Sequence, residues 1–143
     1  MGRALCLSVL VLAGYAAAAN AQKPAEPKGA GMKCSAWETK TMAGPKDSVV
    51  TTSVLEATAD GKGWSLKVAN SPNAIPVRVI TTGGDSMVTE AGPFPSVLRP
   101  GQTVTTLRTV EHMKGNKLTG TVEAHYSPSG DVFHGKLEGT CRK

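Results

Sequence analysis

The chain has 143 residues, 40% hydrophobic and 19% charged, with a net charge of +5. That length suits one domain with an ordinary core. Lysines and arginines are scattered among acids rather than gathered into a stripe, which argues against nucleic-acid binding.

The chain opens Met1-Gly2-Arg3 and then runs apolar from Ala4 to Ala19, broken only by Ser8, Gly14 and Tyr15. Ala19-Asn20-Ala21 supplies a small-x-small site. A basic start, a short apolar stretch and such a site predict a secretory signal peptide over residues 1–21, cleaved after Ala21. The apolar stretch is shorter than the roughly 20 residues a bilayer span requires, and no second one follows. Cys6 lies inside the apolar run, away from the position of a lipid-attachment cysteine. The expected product is a periplasmic or secreted monomer with no membrane span. Residues 22–32 mix prolines, glycines and charges, and read as a flexible leader.

From residue 33 to 143 short β-branched runs alternate with glycine and proline turns, and no stretch carries a helical repeat. Strands are predicted over Lys33–Met42, Ser48–Ala59, Trp64–Val68, Ile75–Val79, Ser86–Glu90, Gln102–Glu111, Lys117–Tyr126 and Val132–Arg142, with Gly92-Pro93-Phe94-Pro95 as a stiff loop. The last two runs suit a hairpin centred between Ser129 and Gly130. That register sets Tyr126 against Phe133, Ala124 against Gly135, Val122 against Leu137 and Gly120 against Gly139 on one side. On the other it sets Glu123 against Lys136 and His125 against His134. A slip of one residue would turn every side chain to the wrong face.

Cys34 and Cys141 are the cysteines left after cleavage, and in an oxidising compartment such a pair forms a disulfide. The hairpin turns Cys141 inward, opposite Leu118, and Cys34 starts the first strand. Bridging them brings the first and last strands together, because bridged Cα atoms lie about 4.4–6.8 Å apart. The fold class is therefore all-β: an antiparallel up-and-down meander of about eight strands, closed or nearly closed into a barrel. A two-sheet sandwich is the alternative.

No catalytic motif, phosphate-binding loop or dinucleotide fingerprint is present, so neither an enzyme nor a cofactor is expected. His125 and His134, paired in the predicted hairpin, are the weak metal candidates, short of the three or four ligands zinc takes. Small barrels fill their interior or hold one small ligand. Trp64, Phe94, Tyr126 and Phe133 are the candidate lining or rim residues, with Arg99 and Arg108 as charged anchors. Arg108 shares strand parity with Val104 and Val110 and would point inward if the strand is regular. A twist that turns it to solvent is the more common outcome for a charged side chain.

From Asp60 to Tyr126 the chain resembles a group of exported bacterial small β-domain proteins without an established activity. The matching residues are Asp60-Gly61-Lys62-Gly63-Trp64, Pro76-Val77-Arg78-Val79, Gly84-Asp85-Ser86-Met87-Val88-Thr89-Glu90, Gly92-Pro93-Phe94, Ser96-Val97-Leu98-Arg99-Pro100-Gly101 and Leu118-Thr119-Gly120-Thr121. The resemblance implies bacterial export. The architecture is also loosely similar to lipocalin-like barrels, without a distinctive lipocalin motif. The expected function is binding of a small apolar or amphipathic molecule. The alternative is a protein-interaction module or inhibitor in the cell envelope, acting through the barrel rim or the leader.

Overall fold

Alternation of apolar and polar residues builds nine strands in the computed structural model, which describes residues 34–143. The signal-peptide and leader readings lie outside the described residues. The strands are β1 (Ala36–Ala43), β2 (Ser48–Ala57), β3 (Trp64–Val68), β4 (Ile75–Gly83), β5 (Ser86–Ala91), β6 (Phe94–Pro95), β7 (Thr103–Lys114), β8 (Lys117–Ser127) and β9 (Val132–Cys141). No helix occurs among the described residues, so none there is long and apolar enough to cross a membrane.

All pairings are antiparallel, in the order β5-β4-β3-β2-β1-β9-β8-β7-β6, and β5 also pairs with β7. That last pairing closes eight strands into an up-and-down barrel and rules out the sandwich. The short β6, within the segment expected to be a loop, continues the edge of β5 along β7, with Phe94 opposite Val104. Between β5 and β6 stands Gly92, at φ +119°, where a Cβ would come 2.7 Å from the Thr105 carbonyl oxygen. Only glycine fits that approach.

The first and last strands meet as predicted, from Trp37 opposite Cys141 to Met42 opposite Lys136. Cys34 and Cys141 are joined by a disulfide across 5.9 Å between Cα atoms. The pairing of Cys141 with Leu118 is corrected, since Leu118 stands opposite Gly139.

The β8–β9 hairpin exists, but two residues away from its predicted register. Ala124 faces Phe133, Val122 faces Gly135, Gly120 faces Leu137 and Leu118 faces Gly139. His125 faces Val132 rather than His134, and Glu123 faces His134 rather than Lys136. Two physical reasons favour the shift. Pro128 has no N–H for a ladder, so the turn takes it in; Tyr126 donates to the Asp131 carbonyl at 2.9 Å, and Gly130 turns at φ +75°. The observed pairs also set a large side chain against a small one at every step, which fits the curved inner wall of a small barrel. Because the shift is even, every residue keeps its predicted face.

The barrel has two unlike ends. At one lie the disulfide and the turns β2–β3, β4–β5 and β7–β8, closed by Trp37, Trp64, Met87, Met113 and Leu118 packed in one apolar cluster. The other carries the turns β1–β2, β3–β4 and β8–β9 and the segment 92–102.

Candidate functional site

The second end is a cup. Its walls are apolar: Leu55, Leu66, Val68, Val104, Leu107, Val122, Ala124 and Leu137 face a cavity of about 80 Å³. Tyr126, Phe133 and Phe94 are aromatic members of the same wall, and Val97 and Leu98 come in from the 92–102 segment. A water molecule needs roughly 10–15 Å³ of such space, so the cavity has room for more than isolated waters.

The interior also carries a polar band. Thr39 and Ser53 hydroxyls are bonded at 2.7 Å, and Thr41, Thr51, Thr109 and Glu111 face the same space. Glu111 is only 2% exposed. Its Oε1 accepts a hydrogen bond from Thr109 Oγ1 at 2.9 Å, and Thr109 is in turn bonded to Thr89 across the β5–β7 pairing. Oε2 has no partner. Burial pushes the Glu111 carboxyl up to about 7, and the Thr109 hydrogen bond only partly opposes this. A second buried polar atom without a partner, Trp37 Nε1, belongs to the closed end.

How Glu111 comes to lie inside follows from a bulge in β7. Val104 pairs with Tyr126 and Thr106 with His125, leaving Thr105 as an extra residue. Before the bulge the even-numbered Val104 points inward. After it the odd-numbered Leu107, Thr109, Glu111 and Met113 do. Regular alternation from Val104 therefore misplaces everything downstream, and Arg108 points out.

Arg108 is exposed and takes its place in a ladder around the outside of the barrel. Arg78, Glu90, Arg108, Glu123 and His134 are successive cross-strand partners from β4 to β9. Arg78 and Glu90 are 3.0 Å apart. Glu123 contacts His125 Nε2 at 2.6 Å and His134 Nδ1 at 3.6 Å. The His125 hydrogen bond, with smaller help from the charges of His125, His134 and Arg108, holds the Glu123 carboxyl below its ordinary range. The two candidate histidines thus share a carboxylate. Among the described residues no group of three or more His, Cys, Asp or Glu side chains is arranged to hold a metal ion. Lys136, expected beside Glu123, pairs instead with Asp47 at 2.9 Å.

The other predicted residues divide. Phe94, Tyr126 and Phe133 line the cavity, whereas Trp64 is buried in the closed-end cluster. Arg99 sits on the cup's own loop, its guanidinium 4.4 Å from the Tyr126 ring centroid and 2.7 Å from Asp131. It steadies the mouth. Glu111 is the residue that sequence reasoning missed; the signal would have been a bulge, and Thr105 looks like any other strand threonine.

Fold and cavity define an eight-stranded β-barrel, packed at one end and hollow at the other. No protein-family model, curated protein or solved structure matches the chain.

Proposed function

We propose that this protein is an exported binding protein whose barrel holds one small amphipathic molecule. The observation that carries the reading is the cup: a largely apolar wall with hydroxyls and one carboxyl set into it, open at one end of a barrel packed shut at the other. Closed eight-stranded barrels are suited to a single small ligand. Export is supported by the signal-like segment at residues 1–21 and by the Cys34–Cys141 bridge, which is compatible with an oxidising compartment. The periplasm of a bacterium or its surroundings is the proposed location.

Native mass spectrometry of the protein purified from its own source tests this. The expected result is a reproducible extra mass that disappears on denaturation. A bare mass in every preparation would overturn the carrier reading. It would favour a second one, a protein-interaction module of the cell envelope. The exposed apolar Val49, Val50, Leu98 and Val132 around the open end are what supports that alternative.

A further inference from the structure

The polar band of the cup holds an acceptor with nothing to accept from. Glu111 lines the cavity at 2% exposure, and its Oε2 has no hydrogen-bond partner among the described residues. The hydroxyls beside it have a direction. Thr109 owns one hydrogen and gives it to Glu111 Oε1. The hydrogen in the Thr89–Thr109 bond therefore comes from Thr89. With Glu111 ionised, both hydrogens run toward the carboxylate.

Charge on the cavity wall is one-sided. Among the described residues Glu111 and Tyr126 are the titratable groups that line it, and no lysine, arginine or histidine does. Arg99 at the mouth is engaged with Asp131 and with the Tyr126 ring. An ionised Glu111 thus has no counter-charge inside the barrel, and a buried charge left unpaired is strongly unfavourable. An incoming carboxylate would add a second negative charge. An alcohol would fill the hydrogen bond and leave the charge uncompensated. An ammonium answers both needs.

We propose that the cup receives a small amphipathic amine, its ammonium paired with the Glu111 carboxylate, whose side chain turns toward the cavity to meet it, and its apolar body against Leu55, Leu66, Leu107 and Phe133. The assignment rests on the barrel-binding reading above and names the head group that reading leaves open. Apolar contact supplies affinity, and the buried carboxylate selects the head.

Hexylamine, hexanol and hexanoate, alike in tail and different in head, separate the two claims. Each is titrated into the purified, disulfide-intact protein by calorimetry at about pH 8, with the methyl NMR signals of Leu66 and Leu107 reporting where it binds. Hexylamine is expected to bind at least about tenfold more tightly than hexanol, the scale of a charge-assisted hydrogen bond, and hexanoate more weakly than either. Glu111→Gln should erase the amine preference, and an unchanged circular dichroism spectrum together with hexanol-induced shifts of the Leu66 and Leu107 methyls shows that the variant keeps its cup. Equal binding of amine and alcohol, or a preference that survives Glu111→Gln, would overturn the amine assignment and leave the barrel-binding reading standing. No shift of the cup methyls with any of the three would overturn both.

Discussion

Glu111 sets a pH dependence with a definite sign. Its carboxyl is raised from 4.5 to about 7 by burial, so at intermediate pH the unfolded chain has lost a proton that the folded chain keeps. Folding stability attributable to this residue is therefore complete below about pH 4.5 and declines as pH rises toward 7. Above that the native state carries the full cost of a buried charge, about 3 kcal/mol from the size of the shift. Glu111→Gln removes the ionisation. In urea unfolding across a pH series, the variant should gain on the wild type steadily between pH 4.5 and 7, and lead by up to about 3 kcal/mol at pH 8. A gap that does not change with pH would mean that the carboxyl is solvated. Of the four aromatic candidates, Tyr126, Phe94 and Phe133 line the wall and Trp64, equally aromatic and at the start of its strand, does not, so residue type alone does not pick out the wall. A lone glutamate in a run of alternating threonines is no more legible.

At the scale of the strand pair, β7 and β8 are held at a separation that depends on Gly120. It stands opposite Glu111, and a Cβ there would collide with the Val110 carbonyl oxygen and press on the Glu111 backbone. Gly120→Ala should cost roughly 1–3 kcal/mol, the usual range for overpacking, read as a fall in thermal midpoint. Gly83→Ala is the control: it meets nothing within 4 Å, and its effect should stay within about 0.5 kcal/mol. The same pair of strands shows where the sequence stops being legible. Strand limits such as Trp64–Val68 follow from alternation and turn residues. The Thr105 bulge and the two-residue shift of the β8–β9 hairpin do not, because each is decided by large-against-small packing across neighbours that a single strand does not contain. Parity survives the shift and fails at the bulge, so Phe133 keeps the face that alternation gives it, whereas Arg108, inward by simple parity with Val104, points to solvent as charged side chains usually do.

For the molecule as a whole, closure depends on two seams, β1 with β9 and β5 with β7. The first is bolted by Cys34–Cys141, separated by 107 positions in sequence. Cross-linking so long a loop restricts the unfolded chain, and removing such a bridge typically costs about 2–5 kcal/mol. Cys141→Ser, or reduction of the wild type, should lower denaturant stability by that amount. The apolar cluster of Trp37, Trp64, Met87 and Leu118 lies at the same end. This architecture was legible because two cysteines near the ends of a strand-only segment leave few ways to bring them together. The hollow was not, since whether a barrel is filled depends on side-chain volumes summed around the ring.

The bridge has one more consequence. Between its cysteines the chain is covalently a circle, tied at the packed base. A protease that cuts one exposed turn at the mouth, such as Pro128-Ser129, opens the circle into a line whose pieces remain tied through sulfur and held by the neighbouring strands. A nicked barrel of this kind would stay whole.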